Sequence, residues 1–437
     1  MEYFDCAPVA VPTLAEQRDA LQKGLGRARL WAQQGLLADA PLLEACLQDL
    51  RYDKQCEEPR GDWLWELIKE IDAKEQFRVP ILHALYAETD GWNASQLYEL
   101  AGHYAAEGDE TFRAQLYEVV KQKPFEDNRS LGEEEIMNLD DKQGFQFAAQ
   151  IRGTRLKTIE WDWDDEYLVN NAMKDFGEEE ILNLMSSATD VNLRRFYDLW
   201  IQNKKPDPPS QNPKNKNGKG NYIKRMQAIP VDEIIQAANG AEHCHWFRGW
   251  GMYADEASLN TVLNALRSIN TPSILVKLIK VFSNRALPVF DPRLIELCQH
   301  HDDELQRWAF SALANNSHPA IREFALEQLT EEWSLHVFSL FINNYKPGDE
   351  AHLFAALELP EDSWEIHCLF SDLLKVLEHN PGADRSPLAE MIYRLNPCEL
   401  CRFKAVQLLK EQNIAPAWMI EECRFDTYED TRMLFNE

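Results

Sequence analysis

The chain has 437 residues, long enough for two or three ordinary domains or for one extended array. Its 45 Lys and Arg against 73 Asp and Glu leave a net charge of −28, a field that repels nucleic acid and anionic membrane over most of the surface. A hydrophobic content of 45% and a charged content of 27% suit a packed soluble protein, and 18 glycines, below the usual ~7%, favour helices over turn-rich sheets.

Met1-Glu2-Tyr3-Phe4-Asp5 has no basic stretch followed by an apolar one, so no secretory signal is visible. No apolar run approaches the roughly eighteen residues of a membrane span. The nine cysteines are scattered and odd in number, which reads as reduced thiols in a cytoplasm.

From Leu97 to Ala105 apolar residues recur at three and four. A Gly108-Asp109 turn follows, then a second amphipathic run through Phe112, Leu116, Val119 and Val120. The pattern predicts two antiparallel helices. The octapeptide Gly132–Leu139 then returns forty-five residues later as Gly177–Leu184, with only Met137 changed to Leu182. In each copy glycine serves as N-cap, and three glutamates complement the positive end of the helix dipole.

Two stretches interrupt the helical pattern. Lys157 to Trp163 alternates apolar and polar residues, which suits an extended connector, and Trp161-Asp162-Trp163-Asp164-Asp165 is the sharpest acidic-aromatic constellation. One of its carboxylates could be desolvated, but three neighbouring acids more often mark a wet edge. The segment 203–221 carries prolines, asparagines, glycines and the basic island Lys204, Lys205, Lys214, Lys216 and Lys219, so it is predicted as a flexible loop. Gly-Lys-Gly without the Walker spacing excludes a P-loop. The loop divides the chain into helical repeats over 1–202 and 222–437.

The stretch His243-Cys244-His245-Trp246-Phe247-Arg248-Gly249-Trp250 is the richest in aromatic and titratable groups. His243, His245, Trp246, Arg248 and Trp250 are the candidate binding residues, since aromatic planes beside an arginine make a recognition surface. The competing reading is ordinary core, because Trp246 and Trp250 stand four apart.

Asp303 to Leu313 and His318 to Leu329 resemble the HEAT signature: a turn Asp, then Arg307 or Arg322, then alanines and leucines at the helix seam. Asp109/Arg113 and Asp190/Arg194 are similar pairs, and the forty-five-residue period lies in the HEAT and armadillo range. The resemblance covers about 90–330. It implies an all-α fold, an α-solenoid superhelix of degenerate HEAT-like helix pairs, degenerate because Arg307 and Arg322 fall on consecutive helices. Arg51-Tyr52-Asp53 and Arg424-Phe425-Asp426 echo each other weakly at the two ends, as capping repeats do.

No catalytic fingerprint is present: no Gly-x-Ser-x-Gly, no His-Glu-x-x-His and no dinucleotide motif. Cys398-x-x-Cys401 is a single pair, with His243, His245, His300 and His301 far away in sequence. Cys398, Cys401, Ala405, Leu408 and Leu409 share one helical face, so the cysteines read as core and no metal or cofactor is expected. The expected function is a non-catalytic scaffold or adaptor, its acidic surface binding a basic protein partner. One alternative is a HEAT-like DNA glycosylase or other nucleic-acid-acting enzyme, which the charge opposes. The other is an acidic inhibitor or immunity-type protein that sequesters a basic protein.

Overall fold

The computed structural model describes residues 6–122, 130–204, 217–240, 243–330 and 335–435. Among the described residues there are 25 α-helices, a 3-10 turn at Val337–Phe341 and no strand, so the core is built by helix packing alone. The all-α expectation holds on these residues. None of their helices is long and apolar enough to cross a membrane.

Helix starts are written into the sequence by short acidic side chains. Asp90 accepts from the backbone N–H groups of Trp92 and Asn93, Asp190 from those of Asn192 and Leu193, and Asp362 from those of Trp364 and Glu365. Thr13 and Glu16 form a reciprocal capping box. Each such cap contributes about 1 kcal/mol against alanine. The two predicted antiparallel helices are Gly91–Ala106 and Glu110–Gln122, packed together, with Phe112, Leu116 and Val120 buried.

The chain divides into two compact units. One comprises Ala7–Gln211 with Ala417–Glu437, the other Met1–Cys6 with Asn212–Pro416. In the first, Glu133–Arg155 is broken at Asp140 and Asp141, the latter at φ +48°, and its second half packs on Val191–Asn203. The core between these helices holds Phe145, Ala148, Val169, Ile181, Phe196 and Trp200. Each large side chain buried there contributes roughly 1.5–3 kcal/mol.

The C-terminal segment completes this unit against its first helices. Glu422 accepts from Arg27 at 2.9 Å with both side chains buried, and the Thr427 N–H donates to the Gly24 carbonyl at 3.0 Å. Trp63 Nε1 donates to the Phe425 carbonyl at 2.9 Å. Gly26 is required at this contact, because a Cβ there would stand 1.9 Å from the Glu422 carbonyl oxygen.

Arginine–aspartate links join neighbouring helices. Asp109 caps its own helix and takes Arg78, while Arg113 passes on to Asp140. In the other unit Arg267 reaches Asp291 and Arg322 reaches Asp349. The turn Asp and the following Arg therefore bond in opposite directions along the chain at Asp109/Arg113.

Residues 157–162 form a turn and an irregular connection, and Trp163 already belongs to the helix Trp163–Phe176. Lys205, Lys214 and Lys216 of the basic island lie outside the described residues. The helix Asn217–Gln227 begins inside the stretch expected as a loop.

Candidate functional site

The unit built from Ala7–Gln211 and Ala417–Glu437 contains an open cleft of about 970 Å³. Nine carboxylate side chains and four arginines line it, so the cleft carries the sign of the whole chain. Its walls come from Gly61–Glu70, Gly91–Ala106, the start of Glu133–Arg155 and the C-terminal segment. Three of the four arginines already have partners in the wall. Arg29 faces Glu66 and Glu70, Arg152 is locked in a buried network, and Arg432 donates to the Asp426 and Thr427 carbonyls. Asp62, Glu134 and Glu429 are exposed at the mouth.

On one wall His103 Nε2 lies 2.7 Å from Asp62 Oδ1, and its ring stacks on Trp65. Beside it Glu99 accepts the Gly61 N–H at 2.8 Å. Burial pushes the Glu99 carboxyl up to about 7, only partly offset by that hydrogen bond. Tyr167 lines the cleft and Trp163 meets it edge-on, with their rings 52% and 74% exposed. An exposed aromatic ring in a cleft whose carboxylates outnumber its arginines fits a guanidinium or ammonium group.

The floor is a buried charge network. Arg152 grips Glu133 with two hydrogen bonds of 2.8 Å and donates to Asp165 at 3.0 Å, all three side chains being 2% exposed or less. Burial pushes the Glu133 carboxyl up against the pull of the arginine, and the carboxylates keep Arg152 firmly protonated. Asp165 also accepts the Asp162 N–H, closing the capping box of Trp163–Phe176. The acidic-aromatic constellation is thus divided: Trp163 faces solvent, whereas Asp165 is sealed in the interior and is no wet edge.

The candidate binding residues of 243–250 lie in the other unit. His243, His245 and Arg248 are exposed and Trp246 is half-buried, with the two imidazoles 6.1 Å apart. Trp250 is in the core, and its indole N–H donates to the Ile229 carbonyl at 3.0 Å. Arg248, Lys280 and Arg307 all stand within 6 Å of the Trp308 ring. Sequence reasoning did not single out Trp308 or Lys280, because their meeting depends on packing between helices.

Cys398, at the N-cap of Glu399–Gln412, and Cys401, within that helix, are unlinked thiols, 6% and 9% exposed, in keeping with the expected burial. A histidine overlooked in the sequence joins them. His367, from the packed helix Ser363–His379, puts Nδ1 3.7 Å from Cys401 Sγ. The hydrogen bond from Cys401 lowers the Cys398 thiol against the opposing effect of burial, with His367 assisting, and Cys401 is raised in turn.

Fold and sites together define an all-helical protein with an acidic cleft in one unit and a thiol–imidazole cluster in the other. No family model matches the chain, nor does any curated protein or solved structure.

Proposed function

We propose that the chain is a non-catalytic binding protein, built from stacked HEAT-like helix pairs of the solenoid kind, whose acidic cleft receives a basic segment of a protein partner. The observation that carries this reading is the cleft itself, with nine carboxylates against four arginines, three of them already engaged, and exposed Tyr167 beside them. Helices that pack on near neighbours in the chain, and arginine–aspartate links that skip the intervening helix at Arg78–Asp109, support the solenoid description. The cleft is preferred to the 243–250 stretch because Trp250 is committed to the core. Unlinked Cys398 and Cys401 suit a reducing compartment such as the cytoplasm.

Duplex binding rests on cations that neutralise phosphates, and this cleft offers the opposite sign, which disfavours the glycosylase reading. Sequestration of a basic toxin or nuclease would use the same surface and is a special case of the proposal. The test is fluorescence anisotropy with an arginine- and lysine-rich peptide and with a DNA duplex, using wild type and the D62K/E134K/E429K variant. The peptide should bind wild type, weaken as salt rises, and lose at least about tenfold in affinity for the variant. Equal binding by the two proteins, or retention of duplex by wild type at low salt, overturns the reading.

A further inference from the structure

We infer that Cys398, Cys401 and His367 form a site for one thiophilic divalent cation of the zinc class, bound through the two Sγ atoms and the imidazole Nδ1. The fourth coordination position is left open to water or an exogenous donor. This inference does not depend on the acidic cleft, which belongs to the other unit.

The geometry is assembled by three separate features. Cys398 is the N-cap of Glu399–Gln412 and Cys401 its third helical residue, so a three-residue spacing turns both thiols to one side of the first turn. The loop ahead of them is fixed: Asn396 Oδ1 accepts the Cys398 N–H at 2.9 Å, and buried Arg402 donates to the Pro397 carbonyl at 2.9 Å. His367 then approaches from a different helix, so the third donor arrives by tertiary packing.

Distances decide whether the cluster can close on an ion. The three donor atoms lie within 4.8 Å of one another, and Cys401 Sγ to His367 Nδ1 is 3.7 Å. Zinc bonds of about 2.3 Å to sulfur and about 2.0–2.1 Å to nitrogen give a tetrahedral S···N edge of roughly 3.6 Å and an S···S edge of roughly 3.8 Å. One edge is already correct, and the longest separation needs to close by no more than about 1 Å. Two thiolates and a neutral imidazole match the preference of zinc-class ions for soft sulfur and borderline nitrogen donors. Three protein ligands with an open fourth position are the pattern of reactive zinc sites, whereas purely structural ones have four.

A redox-active dithiol is the competing use of the same residues. Exchange with an incoming disulfide requires access to a sulfur, and both thiols are under 10% exposed. It also assigns no part to the third donor. Half-buried His367 leaves an approach that a single ion can use.

The test uses the full chain, reduced with a phosphine and stripped of metal, then titrated with Co(II) as the probe. Expected are one equivalent bound, thiolate-to-cobalt charge-transfer absorption, and the strong visible bands of tetrahedral cobalt, displaced by Zn(II). C398S and C401S should each weaken the charge-transfer band, H367A should weaken binding by more than about 100-fold, and C368S should behave as wild type. Circular dichroism checks that each variant folds. Alkylation mapping of wild type alone gives an independent readout, because Zn(II) should protect Cys398 and Cys401 selectively. A folded, reduced chain with no charge-transfer band and no protection overturns the inference. So does a band that survives the double variant C398S/C401S, or a Cys398–Cys401 disulfide formed under mild oxidation by a chain that binds no cobalt.

Discussion

The two copies of one octapeptide have opposite fates. In both, a glycine at positive φ opens a helix, three glutamates follow, and an isoleucine, Ile136 or Ile181, is fully buried. Beyond that they diverge. Glu133 is sealed inside against Arg152, while Glu178 is exposed. A Cβ on Gly132 would meet Val120 and Tyr98 at 2.6–2.7 Å, while one on Gly177 would meet nothing within 4 Å. The repeated string specifies where a helix begins and which residue anchors it. Whether its first carboxylate becomes structural is decided elsewhere, by the arginine beyond the break at Asp140 and Asp141 in Glu133–Arg155. After the second copy, Arg194 goes to Asp198 and the Ser186 carbonyl and Arg195 to the Gly153 carbonyl and Asn192, so neither repeats the buried grip.

Substitutions made in parallel at the two copies turn this contrast into measurements. The largest effect is expected from R152L, which strands Glu133 and Asp165 as buried carboxylates without their cation. Denaturant titration should give a loss of about 3–5 kcal/mol, against less than about 1 kcal/mol for R194L at the exposed i,i+4 pair. Equal losses would mean that the buried network does not distinguish the copies. Next in size is G132A, which adds contact with Tyr98 and Val120 to a left-handed φ and should cost about 3 kcal/mol, whereas G177A, at φ +94° and ψ +136° with no neighbour to meet, should show a backbone cost alone of about 1–2 kcal/mol. Similar values would place the difference in the backbone and not in Tyr98 and Val120.

The smallest effect sharpens the role of burial in the cleft wall. Glu99 is held at about 7 in the folded chain, above the usual carboxylate range near 4.3. Below that range both states are protonated and its contribution is fully present. As pH rises towards about 7 the unfolded chain releases this proton first, so stability falls, and the fall ends once the folded carboxyl has ionised. E99Q removes that slope, so its melting temperature should gain on wild type between about pH 5 and about pH 8. A constant difference across that interval would show that Glu99 ionises freely.

Local chemistry carried most of what was legible in the sequence. Periodicity placed Gly91–Ala106 and Glu110–Gln122, and Gly132 and Gly177 were readable as helix openers. Cys398 and Cys401 were readable as buried helix residues. What was not legible required partners distant in sequence. Both copies of the octapeptide are followed by arginines, and nothing in their spacing says that Arg152 alone turns inward. His367 could have been found only by asking which histidines precede the cysteine pair by one helix hairpin, and the distant His243 and His300 drew attention first. The cleft joins residues of 29–171 with residues of 424–432, a meeting that no local pattern announces.

The Arg27–Glu422 bond spans 395 residues, and it fixes an order of events during synthesis. The first helices leave the ribosome long before the carboxylate that neutralises their interior guanidinium exists. Until Glu422 has been made this unit must keep Arg27 hydrated, with Gly24, Gly26 and Trp63, which await Thr427, Glu422 and Phe425, uncovered. A nascent chain stalled before Ala417 therefore presents a sticky, charge-bearing half-site, the kind of surface that holding chaperones recognise, and docking of the segment that carries Glu422, Phe425 and Thr427 is the step that buries it.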